Sequence, residues 1–308
     1  MRICVTGGCG YKGSVLVPKL LAAGHHVRVI DTCWFGRWLE PHEHLVVSQG
    51  DCGKYFIDTD TVIHLAAVAN DPCGELDPKL AWETNVLATA KMAEVYSRGG
   101  VRQFIYASSA SVYGAQDFGE AVETDYLHPL SDYNKTKMCA ERVLLSYSDK
   151  MAVQILRPAT VCGYSPRFRA DVLVNMLTMR ALTDGKLHLL SPDLFRPNIH
   201  IEDITDAYLW FLDRPNLTGI YNAGFENYTI RQVAQLVAAR LGVGITEAEG
   251  SQDKRSYRLN SSKLLATGFR PRKTVANAID EIVAKHAAGK LKDEDQWHNL
   301  RWMQRKAA

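Results

Sequence analysis

Residues 6–13 read Thr-Gly-Gly-Cys-Gly-Tyr-Lys-Gly, with glycine at 7, 10 and 13. The apolar run Ile3, Cys4, Val5 precedes them, and a stretch carrying Val15, Leu16, Leu20 and Leu21 at helical spacing follows. Strand, glycine loop and helix in that order restrict the fold more than any other feature of this chain. Glycine is required where a turn takes an unusual φ, where backbone approaches a pyrophosphate closely, and where a helix N-terminus meets that anion with free N–H groups. A glycine triplet alone is compatible with an ordinary tight turn; the flanking strand and amphipathic helix favour a phosphate loop. Gly7, Gly10, Tyr11, Lys12 and Gly13 are thereby assigned to a bound dinucleotide.

The pattern continues. Short β-rich runs at 2–6, 27–31, 45–48, 61–65, 103–107 and 153–157 are each followed by a segment of helical character, except between 48 and 61. There the dozen or so residues include Gly50, Asp51, Cys52 and Gly53, which predicts a loop in place of a full helix. Strands alternating with helices predict an α/β fold, a Rossmann-type doubly wound parallel sheet with right-handed crossovers. After Gly163 the rhythm changes to a helix at 169–182, strands at 187–190 and 198–201, and helices at 203–212, 230–241 and 275–287. Residues 219–222 return as a seventh sheet strand. The 308 residues thus divide into a dinucleotide-binding domain, 1–165 with returns near 198–224, and a smaller α/β substrate-binding domain, 166–197 with 225–308.

Composition excludes several partners. A formal charge of +2 leaves no footprint for nucleic acid or an anionic membrane. Seven scattered cysteines without a CxxC pair read as reduced thiols. The apolar run that stops at Gly7 is too short for a signal-peptide core, and no 18-residue apolar stretch occurs. A cytoplasmic protein without metal or membrane contact is expected; His42, Glu43 and His44 lack a third partner and read as an exposed turn.

Asp31 ends the second strand, where an acid accepts hydrogen bonds from adenosine ribose hydroxyls and disfavours a 2′-phosphate. NAD is therefore the expected cofactor, with Arg37 nearby as the residue that tempers the preference. Tyr133 and Lys137 stand four apart on one helical face. An ammonium beside a phenol stabilises phenolate, which proton transfer near neutrality requires. The run Ser108, Ser109, Ala110, Ser111 closes the fifth strand, and strand ends are where open α/β sheets place ligands.

Together these residues resemble the extended short-chain dehydrogenase/reductases, specifically the NAD-dependent nucleotide-sugar epimerases and dehydratases. The glycine loop, Asp31, Gly50 with Asp51, the run His64, Leu65, Ala66, Ala67, then Asn85 with Val86, Ser109, Tyr133 with Lys137, and 196–203 all appear in the order of that family. The resemblance implies that Asp51 holds the adenine edge, Ala66 and Ala67 line the cofactor with Cys52, Leu65, Ser108 and Pro158, and Asn85 supports the site. It further implies that Ser109 binds the sugar oxygen, that Tyr133 is acid and base, and that Lys137 holds the nicotinamide ribose while lowering the tyrosine pKa. Thr160, Arg196 and Arg255 match positions toward the substrate, the two arginines gripping the nucleotide diphosphate.

Positions 110 and 111 narrow the chemistry. Where this chain has Ala110 and Ser111, the 4,6-dehydratases of that family carry an Asp-Glu pair, and the 3,5-epimerases a cysteine base at the second place. Neither alanine nor serine abstracts a carbon-bound proton. The resemblance is therefore nearest the 4-epimerases acting on a nucleoside-diphosphate hexose through a transient 4-keto sugar, with a 4-keto reductase as the alternative and a non-catalytic cofactor sensor as the more remote one. Asn70, Asp71 and Pro72, the run Arg167, Phe168, Arg169, and Thr160 with Cys162 depart from the familiar 4-epimerases, which points to a different sugar pocket. In the family the helices at 80–96 and after Tyr133 pair across a homodimer. His64 reads as a satisfied core histidine; Trp34, Phe35 and Trp38 either cover the adenosine or pack beneath a loop.

Overall fold

A computed structural model describes residues 1–116, 119–248, 250 and 256–307. Its twelve strands are β1 (Arg2–Thr6), β2 (His26–Asp31), β3 (Leu45–Gln49), β4 (Thr61–His64), β5 (Gln103–Ala107), β6 (Ala152–Pro158), β7 (Thr160–Cys162), β8 (Lys186–Leu190), β9 (Phe195–His200), β10 (Gly219–Ala223), β11 (Glu226–Thr229) and β12 (Gly244–Ala248). Seven form one parallel sheet in the order β10-β6-β5-β4-β1-β2-β3. Every residue of β4 and β5 is buried, as strands covered by helices on both faces must be. The chain leaves β1 toward β2 and β3, then returns to place β4 on the opposite side of β1. That reversal opens a crevice beyond the carboxyl ends of β1 and β4, the ligand position in sheets of this kind.

One apolar layer, containing Leu16, Leu20, Ile204, Tyr208 and Phe211, packs on one face of the sheet, and a second, containing Met92, Tyr96, Ala140 and Leu144, on the other. Residues between β3 and β4 form a loop, as their length and glycines predict. β10 joins β6 in parallel and completes the seven strands. Outside this sheet, β11-β9-β7 and β12-β8 make two small sheets. The helices Leu173–Asp184, Ile230–Leu241 and Val275–Ala287 enclose a separate apolar cluster around Leu177, Val233 and Ile279.

Four elements depart most from the sequence reading. The helix expected from 169 starts at Leu173, after an extended Val172 at its N-cap and a turn in which the Arg169 side chain forks onto Asp171. β9 begins three residues before the expected strand: its Arg196 and Pro197 carry no apolar signal, although both are buried. The following helix starts at Ile201 with His200 as its cap. The helix expected at 80–96 is interrupted by a wide turn, Glu83–Leu87, between Pro78–Trp82 and Ala88–Arg98. Among the described residues no helix is long and apolar enough to cross a membrane.

Candidate active site

The glycine loop opens the crevice. Gly7 has φ +70, and a Cβ there would stand 2.6 Å from the Ala66 nitrogen; one on Gly13 would run into the Gly8 carbonyl. These close approaches press the loop against the backbone after β4 and leave the first turn of the helix Gly13–Ala22 facing the crevice. A backbone cradle with no side chain in it fits a diphosphate. The Tyr11 phenol turns inward, donating to the Gly163 carbonyl at 2.8 Å and accepting from Asn175 at 3.1 Å. Only its backbone remains for a dinucleotide. The Nζ of Lys12 lies 6.0 Å from the centroid of the buried Tyr208 ring.

At the end of β2 the Asp31 carboxylate accepts from the amides of Cys9 (2.9 Å) and Cys33 (2.7 Å). Burial raises its pKa and the two amides oppose the rise. Asp51 accepts from Gly53 N at 2.8 Å, and Cys52 beside it is buried, its thiol pushed up to about 12 by desolvation. Leu65, Ala66 and Ala67 follow β4 directly, with Ala66 N 3.4 Å from Thr6 Oγ1. Pro158 closes β6, at the same carboxyl edge of the parallel sheet as the residues that follow β1, β2 and β4.

Tyr133 and Lys137 lie in the helix Asp132–Leu145, capped by Ser131. Lys137 is 2% exposed and donates to the Ala107 carbonyl at 2.8 Å, with its Nζ 6.0 Å from the Tyr133 ring centroid. Burial first, then repulsion from Lys12, lowers its pKa to about 7. The Tyr133 phenol is pushed up to about 12 by burial and by Asp71. A hydrogen bond with Ser109 and the charge of Arg169 act in the opposite direction. Desolvation is the largest cause of that rise, and the groups pulling the other way are Ser109 and Arg169.

Ser109 caps a short turn, Ala110–Tyr113, and its hydroxyl lies 2.7 Å from that of Ser111, which donates to Asn134 at 2.5 Å. Ser108, expected at the cofactor, buries its hydroxyl against Glu141 instead. Glu141 in turn holds Arg157 at 2.9 and 2.6 Å, and Arg157 donates to Tyr113 at 2.8 Å. This buried network supports the site from below. Sequence reading missed it, although a charged residue four positions after Lys137 on a buried helical face was its signal.

Two departures noted in the sequence meet here. Asn70, at φ +81, donates to Asp171 Oδ2 at 3.1 Å, and Asp171 grips Arg169 at 2.8 and 3.1 Å. Asp71, bound by Ser131, and Arg169 both act on the Tyr133 phenol from opposite signs. Thr160 stands on β7 in register with Asn198 of β9, and Arg196, 9% exposed, lies on β9 with Nη1 2.9 Å from the Phe195 carbonyl. Arg255 lies outside the described residues. His64 is buried as expected, between Thr6 and Thr89. Trp34 and Phe35 pack against Leu300 and Met303 of the helix Asn299–Ala307, and Trp38 against Trp297, which decides for packing beneath a covering segment.

With this geometry in hand, comparison with known proteins is direct. The model of the NAD dependent epimerase/dehydratase family matches residues 3–224. A UDP-glucuronic acid decarboxylase 1 of Xenopus tropicalis is 26% identical over 88% of this chain and 68% of its own. A UDP-glucose 4-epimerase of Lactobacillus helveticus is 25% identical over 92% of this chain and 95% of its own. Among solved structures, the Thermus thermophilus UDP-glucose 4-epimerase in complex with NAD superposes with a TM-score of 0.80 at 26% identity, covering 92% of this chain and 99% of that one.

Proposed function

The chain belongs to the NAD-dependent epimerase/dehydratase family, and from that premise we propose that it is a nucleotide-sugar 4-epimerase acting on a nucleoside-diphosphate hexose. One observation carries the reading. Ser109, Tyr133 and Lys137 stand together, while the neighbouring turn offers Ala110 and Ser111 and no carboxylate. Such a site moves a proton on and off a hydroxyl but lacks a base at that turn for a carbon acid.

NAD supplies the hydride acceptor and donor. Ser109 orients the sugar hydroxyl, Tyr133 removes its proton, and Lys137 holds a cation beside the phenolate as charge develops. The resulting ketone turns over between Tyr133 and the crevice. Tyr133 then returns the proton to the same oxygen, so no cofactor is consumed. Thr160, Arg196 and Arg255 are assigned to the nucleotide diphosphate, which stays anchored while the sugar rotates. In this reading residues 1–165 hold NAD, and 166–197 with 225–308 hold the sugar nucleotide. A cytoplasmic homodimer paired through the helices Ala88–Arg98 and Asp132–Leu145 completes the proposal, and sedimentation velocity measures its size.

The test is to incubate the purified enzyme with UDP-glucose and with UDP-glucuronic acid and follow the sugar H4 signal by NMR. Inversion at C4 with NAD unchanged in amount is expected, and Tyr133→Phe lowers the rate about 10³-fold, the scale of a lost general acid-base. Loss of carbon dioxide or water from the sugar, or stoichiometric oxidation of added NADH, overturns the reading.

A further inference from the structure

Ser111 and Asn134 form a buried hydrogen-bonded chain with Ser109. The Ser111 hydroxyl donates to Asn134 Oδ1 at 2.5 Å and lies 2.7 Å from Ser109 Oγ, and the Ser111 amide donates to the same Ser109 oxygen at 3.2 Å. Asn134 follows Tyr133 in the first turn of its helix and is fully buried. Its Nδ2 has no partner among the described residues, so the side-chain amide meets the chain through its carbonyl alone. Ser111 is 5% exposed, whereas Ser109, at the head of the chain, is half-buried.

Counting protons fixes the direction of the chain. A carbonyl oxygen only accepts, so the one proton of Ser111 is committed to Asn134. The 2.7 Å contact therefore carries the proton of Ser109. One lone pair of Ser109 takes the Ser111 amide, which leaves a single lone pair and no proton for an oxygen beside it.

We infer that Ser111 and Asn134 are positioning residues that hold Ser109 as a hydrogen-bond acceptor, so that it binds a sugar hydroxyl and releases a sugar ketone. A hydroxyl donates to the free lone pair, whereas a ketone has no proton to give. The inference rests on the 4-epimerase reading and deepens it, because the sugar must be held as an alcohol and let go as a ketone in order to turn over. Ser109 aids the Tyr133 phenolate by swinging its proton away from Ser111. Once Tyr133 carries the proton taken from the sugar, that acceptor is lost, and the Ser109 proton returns to Ser111 instead of pinning the ketone.

The test mixes NAD-loaded enzyme with the sugar nucleotide it inverts at C4 and measures the reduced fraction of the bound cofactor by absorbance, a count of the molecules that hold a ketone. Ser111→Ala leaves the Ser109 proton free for the ketone, and the reduced fraction rises about fivefold, the worth of one neutral hydrogen bond. Asn134→Leu releases the Ser111 proton toward Ser109 and moves the fraction the same way. Ser111→Thr keeps the hydroxyl and the native fraction. With native C4 inversion intact, an unchanged or lower fraction in Ser111→Ala and Asn134→Leu overturns the inference and leaves the epimerase reading standing. A rise of the same size in Ser111→Thr marks a packing effect and overturns it too. Absence of C4 inversion by the native enzyme overturns both.

Discussion

Asn85 donates through Nδ2 to Thr136 Oγ1 at 3.0 Å, tying the wide turn Glu83–Leu87 to the helix that carries Tyr133 and Lys137. Thr136 passes the bond on to the Tyr133 carbonyl at 2.7 Å. Asn85 also holds both backbone groups of Val68, at 2.9 and 3.1 Å, so one buried side chain fixes the loop after β4 against the catalytic helix.

Asn85→Ala leaves the Val68 amide and carbonyl without their buried partners. The expected loss is about 2–4 kcal/mol of stability, read as a lower urea midpoint. The catalytic rate falls at least about tenfold while KM moves less, because the displaced group is the reacting phenol. An unchanged midpoint would remove Asn85 from this supporting role.

Cofactor choice follows from Asp31. Its carboxylate is fixed by the Cys9 and Cys33 amides, so it cannot swing away from a 2′-phosphate. NAD is expected to bind at least about 100-fold more tightly than NADP, and Asp31→Asn to narrow the gap about tenfold by removing the like charge. Fluorescence titration with both reduced cofactors reads the ratio. Equal affinities in the native protein contradict the assignment.

The central sheet was legible because its strands are short apolar runs and its loops carry glycine where backbone must pass closely, as at Gly7. The Tyr133–Lys137 face was legible from spacing, and Asn85 only through the family resemblance. What escaped was buried polarity. Arg196 and Pro197, the part of β9 before the expected strand, pair with Tyr228 and Asn227 of β11, and no local pattern announces pairing that distant. The Glu141–Arg157 pair and the Asn70–Asp171 bond likewise join residues on different elements, 16 and 101 positions apart. Trp34 and Phe35 were ambiguous because their cover comes from residues near 300.

Acid sensitivity is expected from His64. Burial holds its pKa down to about 3, against 6.5 for the free side chain, so the folded protein keeps it neutral. Below about pH 6.5 the unfolded chain binds a proton that the fold refuses, and stability falls with pH through this window until the folded value is reached. The slope from this group approaches about 1.4 kcal/mol per pH unit. His64→Asn removes that share: its unfolding free energy, measured from pH 7 to 4.5, declines less steeply even if its absolute stability is lower. Parallel curves count against it.

Arg167 is 2% exposed and lies over the Phe35 ring at 4.1 Å. It donates to the Phe168 carbonyl at 3.1 Å and to Asn299 Oδ1 at 2.5 Å, and burial lowers its pKa to about 9. Asn299 therefore satisfies a buried cation, while its own amide donates to Asp171 at 3.2 Å. The helix it opens covers Trp34, whose carbonyl accepts from the Trp302 indole at 2.5 Å. Asn299→Ala leaves the guanidinium short of an acceptor, at a cost of about 1.5–3 kcal/mol. The loss falls first on the covering helix, since a segment near the end of a fold opens at lower free energy than the sheet. Hydrogen exchange at 299–305 is expected to accelerate, with the β1 and β4 amides unchanged and NAD leaving several-fold faster, because the covered Trp34 lies three residues past Asp31. Uniform acceleration across β1 and the helix shows instead that Asn299 supports the whole fold.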